Sequence, residues 1–333
     1  MSQLLGVALR GTGSCLPARV VPNDEFTDTL NLDTTDEWIR TRTGIRERRF
    51  ADLGETSASL GTIAARRALE SGGVDATEID LIVCATATPD LMCPATACLI
   101  QAALGCRHIP AFDVSAACSG FLYGLSVASQ FVRNGAAKNA LIVGTEVLSR
   151  AIDFTDRNSC ILFGDGAGAV VVSGSRVLNA GFRNIRLYSD GTRQDLIQVP
   201  SKVTPNPAPG APLQPRLEFL RIVGREVYRF AVTRMIELIE QAEVDCREMG
   251  LNGIDVLIPH QVNGRIIDAA LEATKFPREK VVVNLDKYGN TSAASVPIAL
   301  DEALRTGRCK PGDTVLLVAF GGGLTWSSAM LTL

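Results

Sequence analysis

The stretch "IDLIVCATAT" at residues 79–88 returns as "IDVLIPHQVN" at 254–263, with Asp80 and Asp255 175 positions apart. The segments around the two copies keep the same order. "IPAFDVSAAC" is followed by a helical pattern closing at "NG" and then by "KNALIVGTEV"; in the second half "VVVNLDKYGN" is followed by "TSAASVPIALDEALRTG" and then by "GDTVLLVAFGGG". A chain repeated in this way is confined to folds made from two copies of one supersecondary unit. Both copies alternate short apolar runs with segments whose apolar residues recur at helical spacing, which reads as a layered α/β protein. "CILFGDGAGAVVVSG" reads as a further strand pair. The expected halves are residues 1–176 and 177–333. Aligning Gly135 with Gly307, the glycines that close the two central helices, gives an offset of 172 and places Asn290 where Cys118 stands in the first copy. A pseudo-twofold axis then brings the two helix starts to the centre of the molecule.

Cys118, in "SAACSGFLYG", opens a helix expected from about Ser119 to Arg133, with Phe121, Leu125, Ala128 and Val132 on its apolar face. Its neighbours Ala116, Ala117, Ser119 and Gly120 leave room for a substrate. The positive end of a helix, about half a charge, favours thiolate over thiol and lowers a pKa that starts near ~8.5. Cys118 therefore reads as a nucleophile, against the alternative of a packed core cysteine. His260 stands at the end of an apolar strand, where parallel sheets present their working residues; the alternative is a hydrogen-bonded structural histidine. Asn290 reads either as a donor in the same chemistry or as a helix N-cap. His108, in the turn "GCRHIP", reads as a loop residue.

Several functions are set aside by composition. A net charge of -3 offers no positive surface for a nucleic acid backbone. No apolar run approaches the roughly 18 residues of a membrane span, and the N-terminus lacks the basic region of a signal peptide, so neither membrane insertion nor export is expected and the compartment reads as cytoplasmic. Nine cysteines, an odd number with no C-x-x-C pair, and only two histidines argue against a disulfide framework and against a metal site. Cys15, Cys84, Cys98, Cys106, Cys160, Cys246 and Cys309 read as small apolar fillers. The proline-rich segment 199–218 reads as a surface loop beside a pocket or as a tether, and an amphipathic helix is expected from Phe219 to Gln241.

Cys118 in "SAACSGF", His260 in "PHQVNGRI", Asn290 in "YGNTSAASVPIALDEA" and the ending "AFGGGLTWSSAML" resemble the beta-ketoacyl-acyl carrier protein synthase III family of the thiolase-like superfamily. "TTDEWIRTRTGIRERR" and "DRNSCILFGDGAGA" fit as well, so the likeness spans essentially the whole chain. The resemblance implies a thiolase-like five-layered α-β-α-β-α fold with duplicated halves, a homodimer, and no cofactor or metal beyond the substrates. It also implies a Cys118 acyl-enzyme formed from acyl-CoA and a condensation with malonyl-acyl carrier protein in which His260 and Asn290 hold the developing negative charge. The oxyanion hole would come from Cys118 and Gly322.

The same resemblance assigns CoA binding to Trp38, Arg42, Thr43, Arg157 and Asn263. It assigns carrier-protein contact to Gln261, Val262, Asn263, Gly264 and Arg265, and the acyl pocket to Cys93, Leu148, Phe163 and Phe320. Two departures stand out. Asp268 and Glu272 occupy a helix where many relatives carry basic residues, which weakens steering of an acidic partner. Cys93 stands where acetyl-specific relatives place a bulky aromatic contributed across the dimer interface, which implies tolerance for longer primers.

Cys, His and Asn in this order also describe a papain-like hydrolase, but C-G-S-C-W is missing and the duplicated pattern suits that fold badly. A thiolase wants a second cysteine near the C-terminus and an elongating ketosynthase a second histidine; the chain has "FGGGLTW" and Asn290 at those places. A scaffold without activity requires a broken constellation, and none of its members is missing. Starter-unit loading in secondary metabolism and condensation of two long acyl chains remain open within the family.

Overall fold

The computed structural model describes residues 4–30, 32–178, 181–199 and 219–333. Its main sheet is built from β1 (Gly6–Cys15), β2 (Leu81–Ala85), β3 (Ala111–Val114), β4 (Asn139–Glu146), β5 (Gly166–Ser175), β6 (Gly181–Ser189), β7 (Val256–Pro259), β8 (Thr314–Gly321) and β9 (Thr325–Thr332). Their order is β7-β8-β9-β6-β1-β5-β4-β2-β3. Every residue of β2, β4, β7 and β8 is buried, as expected of strands covered on both faces.

The helices that cover them are α1 (Asp36–Thr43), α2 (Ser57–Gly72), α3 (Thr96–Leu104), α4 (Gly120–Arg133), α5 (Gly224–Glu248), α6 (Gly264–Thr274) and α7 (Ser295–Arg305). Val83, Ile142 and Val170 from the first half of the sheet share one core with Ile258, Leu317 and Ala329 from the second, and Phe121 and Leu125 of α4 and Val296 and Leu300 of α7 fill it. The adjoining strand residues point the other way. Ile82 and Leu141 pack under Leu60 and Ala64 of α2 and Ile100 of α3, whereas Leu316 and Val318 pack under Met235 of α5 and Ile267 of α6. The result is the expected five layers, α2/α3, sheet, α4/α7, sheet, α5/α6, with the alternation of strand side chains dictating which layer each residue serves.

The two halves superimpose in sequence at a constant 175 residues at the start of β1 and β6, of β2 and β7, of α4 and α7, and along the whole of β4 and β8. The offset of 172 is therefore wrong at the site. α4 has 14 residues and α7 only 11, so matching their closing glycines displaces their starts by three. The counterpart of Cys118 is Ala293, and Asn290 lies three residues earlier.

Three other expectations need correction. Residues 160–165 of "CILFGDGAGAVVVSG" form turns and a single bridge from Phe163 to Asn290, so only β5 is a strand. "VVVN" makes one bridge, Val281 to Leu257, in place of the expected strand. The helix foreseen from Phe219 runs instead over Gly224–Glu248. Beyond Val199, the proline-rich segment lies outside the described residues.

Candidate active site

Strand β3 leads into a 3₁₀ turn, Ala117–Ser119, that precedes α4, and the equivalent turn Ser292–Ala294 precedes α7. Ala117 and Ser292, the first residue of each turn, both have left-handed backbones with φ of 46° and 48°. Side chains rarely accept that conformation, and here it turns the following residues toward the centre. The two turns meet there. A side chain added to Gly144 would stand 2.4 Å from the Ala293 carbonyl oxygen, and one added to Gly321 would stand 2.6 Å from the Cys118 nitrogen. Only glycine at these two strand ends lets the opposing turns approach so closely.

Cys118, His260 and Asn290 open on one cavity of about 290 Å³. His260 follows β7; its backbone N–H donates to the Val318 carbonyl over 2.7 Å. The ring is fully buried, stands edge-on to Phe320, and its Nδ1 lies 2.6 Å from Ser295 Oγ. Nε2 is buried and has no partner among the described residues. Burial lowers the imidazole to about 3, so the ring is neutral.

Asn290 is held by its backbone, which donates to the Leu162 carbonyl over 2.8 Å and accepts from Gly164 N–H over 3.0 Å. Its Oδ1 accepts from Ser292 N–H over 2.9 Å. The carboxamide oxygen is thus occupied and the amide N–H group is the part left for the cavity. The N-cap of the turn before α7 is Thr291, so Asn290 braces that turn from one residue earlier and is not its N-cap.

Cys118 keeps part of its surface open to the cavity, yet protein surrounds it closely. Burial pushes the thiol up to about 12, with the Glu146 charge adding to the shift, while a hydrogen bond from Ser292 and one from its own backbone pull the other way. Desolvation thus opposes the thiolate that the helix terminus favours. Gly321 lines the cavity beside Cys118; Gly322, the expected second oxyanion donor, follows it, with its carbonyl accepting from Thr325 Oγ1 over 3.1 Å.

Leu148, Phe163 and Phe320 form apolar wall, together with Ile161, Leu220 and Val227. Cys93 is exposed and does not line the cavity of its own chain. At the opposite end Trp38, Arg42, Thr43 and Asn263 line the opening, and the guanidinium groups of Arg42 and Arg157 lie 5.2 Å and 5.1 Å from the Trp38 ring. Arg157 also pairs with Asp33 over 3.0 Å. The Thr43 hydroxyl donates to the Ile39 carbonyl over 2.7 Å and accepts from Ile45 N–H; toward CoA it offers only its remaining lone pair, as an acceptor.

The carrier-protein set divides. Arg265 is exposed on the first turn of α6, Val262 lines the cavity, and Gly264 packs on the Thr43 backbone. Asn263 caps α6 through Arg265 N–H and donates to the Arg42 carbonyl over 3.2 Å. Gln261 is 1% exposed, donates to the Pro259 and Val282 carbonyls and accepts from Asn284 and Leu285 N–H. It braces the loop from inside and is no surface contact. Asp268, the acidic departure on α6, pairs with Arg278 over 2.6 Å.

One residue escaped the sequence reading. Glu146, at the end of β4, is fully buried and accepts hydrogen bonds from Thr88 Oγ1 over 2.7 Å and Ala87 N–H over 3.1 Å. Burial raises its carboxyl to about 7 against the pull of these donors. A charged residue closing the apolar run "NALIVGTEV" was the signal available.

With this geometry in hand, comparison places the chain among known proteins. The family described as 3-Oxoacyl-[acyl-carrier-protein (ACP)] synthase III matches residues 112–191, and its C-terminal counterpart matches residues 245–333. A protein of Caldanaerobacter subterraneus subsp. tengcongensis named beta-ketoacyl-[acyl-carrier-protein] synthase III is 46% identical, covering 99% of each chain. One of the same name from Novosphingobium aromaticivorans is 48% identical, covering 97% of each. The crystal structure of 3-oxoacyl-[acyl-carrier-protein] synthase III from Aquifex aeolicus VF5 superimposes with a TM-score of 0.88 at 44% identity, covering 98% of this chain and 100% of that one.

Proposed function

The chain belongs to the 3-oxoacyl-[acyl-carrier-protein] synthase III family, and from that premise we propose that Cys118, His260 and Asn290 run a two-stage condensation in their shared cavity. The protein is a condensing acyltransferase: it initiates fatty acid synthesis by joining an acyl-CoA primer to malonyl-acyl carrier protein, giving 3-oxoacyl-acyl carrier protein, carbon dioxide and CoA.

In the first stage Cys118 sulfur attacks the primer thioester. The oxyanion that forms sits against the N–H of Cys118 and that of Gly322, CoA departs, and an acyl-enzyme remains. In the second stage malonyl-acyl carrier protein loses carbon dioxide, and its thioester oxygen takes up charge between His260 Nε2–H and the Asn290 amide. Neither donor changes protonation near neutral pH, the amide because it cannot and the imidazole because burial keeps it neutral. In a cavity this apolar such donors are strong. The carbanion then attacks the acyl-enzyme and releases Cys118.

Trp38, flanked by Arg42 and Arg157, is suited to stack the adenine of CoA, and Asn263 lies along the path inward. Arg265 and Gly264 mark the mouth where the carrier protein would dock, in the cytoplasm. A homodimer would bring Cys93 to the acyl pocket of the neighbouring subunit, and its small side chain predicts primers longer than acetyl. We take the reaction to need no cofactor beyond the two substrates.

The observation that carries this reading is that Cys118, His260 and Asn290 line one cavity, with the imidazole Nε2 unpartnered among the described residues and the carboxamide oxygen already engaged. Product analysis tests it: acyl-CoA with malonyl-acyl carrier protein should give the 3-oxoacyl product, with malonyl-CoA a poorer donor. Steady release of free acid from acyl-CoA alone, with no condensation product, would mark a hydrolase instead.

A further inference from the structure

We propose that Arg48 is a positioning residue for the second stage: its buried guanidinium fixes the stretch of cavity wall from which Asn290 hangs, and so aims the Asn290 amide at the thioester oxygen. This rests on the condensing reaction above and names what holds its second donor in place.

No strand of the main sheet fixes Asn290. Its backbone is tied to Leu162 and Gly164, which belong to a stretch of turns. A two-stranded antiparallel ribbon, Arg19–Pro22 with Glu47–Phe50, grips that stretch at both ends. At one end Asp165 N–H donates to the Arg49 carbonyl over 2.8 Å, and at the other Arg48 Nη2 donates to the Ile161 carbonyl over 2.6 Å. Arg46 N–H donates to the Asp286 carbonyl over 3.0 Å, so the same ribbon also holds the chain that leads into Asn290. Arg48 packs directly where the two backbones meet: side chains added to Gly164 and Gly289 would stand 3.1 Å and 3.3 Å from its Cβ. The wall it holds is the cavity's own, since Ile161, Leu162 and Phe163 all line the space shared by Cys118 and His260.

Arg48 is fully buried, and among the described residues no carboxylate pairs with it. Glu25 and Glu47 pair with Arg19 and Arg49 instead. Nη1 donates to Asn23 Oδ1 over 2.8 Å and to the Val21 carbonyl over 3.2 Å, and the guanidinium lies 4.7 Å from the Phe26 ring. Burying a cation without a counter-ion is costly even where neutral oxygens satisfy most of its N–H groups, so filling space does not account for it. A planar fork does. One arm is anchored in the ribbon, and the other meets the wall at a fixed distance and angle, which a flexible ammonium cannot do in two directions at once. The anchor extends further, because Asn23 Nδ2 donates to Asp36 Oδ1 over 2.8 Å in the first turn of α1, the helix of Trp38 and Arg42. One buried network thus runs from the nucleotide end of the cavity to the wall that carries Asn290.

The test compares wild type, R48M, N290A and R48M/N290A as full chains. Carbon dioxide released from malonyl-acyl carrier protein reads the second stage, and intact mass after acyl-CoA reads acylation of Cys118. A displacement of Asn290 by about 1 Å should lower carbon dioxide release by about 10²-fold in R48M, while acylation falls far less. In the N290A background the same substitution should cost less than about threefold, because a residue that acts through Asn290 has nothing left to position. R48K keeps the cation without the fork and should not rescue the loss. Melting temperature reports folding; should R48M fail to fold, R48K carries the same comparison. Unchanged carbon dioxide release in the folded variant, equal losses in both stages, or a full loss on top of N290A overturns the proposal and leaves Arg48 a packing residue. A wild type that releases no carbon dioxide, or N290A that releases it at the wild-type rate, defeats the condensing reading instead, so the two failures are distinguishable.

Discussion

Ser295 Oγ lies 2.6 Å from Nδ1 of His260, within the buried start of α7. With the Ser295 hydroxyl assigned as donor to Nδ1, the ring proton stands on Nε2, the nitrogen without a partner among the described residues. His260 and the Asn290 amide then form two fixed donors. Replacing either with alanine is expected to lower malonyl decarboxylation by about 10²–10³, the usual loss for one oxyanion donor, while labelling of Cys118 by acyl-CoA falls far less. Carbon dioxide release and intact mass measure the two steps separately, and the reverse ranking would mean that the roles are misassigned.

Burial of His260 also sets an acid sensitivity. The folded ring stays neutral down to about 3, whereas the unfolded ring takes a proton below its ordinary value near 6.5. The unfolded chain therefore binds more protons as pH falls through that window, and stability drops by up to about 1.4 kcal/mol per pH unit. Glu146 works in the opposite sense between about 7 and 4.5, since its folded pKa is raised. The difference between wild type and H260N isolates the histidine: H260N should lose less stability from pH 6.5 to 4 in denaturant titrations. Parallel curves would show that the ring is protonated in the fold.

Gly321→Ala is expected to disturb the nucleophile selectively. The added carbon would lie 2.6 Å from the Cys118 nitrogen and 3.2 Å from its Cα, both backbone, and 3.2 Å from the Ala117 Cβ. Overpacking of this kind costs about 1–3 kcal/mol, and the displaced N–H no longer meets the oxyanion. Acylation should fall by at least ~10²-fold, with melting lowered by only several degrees. Acylation at the wild-type rate would show that the turn has freedom to shift.

Trp38→Ala removes the ring that Arg42 and Arg157 flank. A stacked aromatic is worth about 1–3 kcal/mol per base, so KM for acyl-CoA should rise about tenfold or more while kcat changes little. A short acyl thioester lacking the nucleotide should react with the variant and the wild type alike. Equal losses with both substrates would place Trp38 in packing alone.

The duplicated order of segments, the layers and the three central side chains were legible because each rests on a local pattern: alternating apolar runs, a thiol before an apolar helix, a histidine closing a strand. What escaped depends on contacts between distant segments. Asn290 was matched to Cys118 because the three-residue difference between α4 and α7 does not register in the motifs. Gln261 stands one residue from the cavity-lining Val262 but points inward, held there by the Val282 carbonyl and the Asn284 and Leu285 N–H groups. The thiol pKa depends on how closely both halves shut around Cys118, and Glu146 is held by Ala87 and Thr88 from a turn distant in the chain.

Intact-mass analysis of the chain with an acyl-CoA tests the central claim most directly. The account predicts a single acyl adduct that maps to Cys118, persists without malonyl donor, disappears on adding malonyl-acyl carrier protein as the 3-oxoacyl product forms, and is missing in C118A. An adduct at another residue, or none in a folded protein that still makes the product, would contradict it.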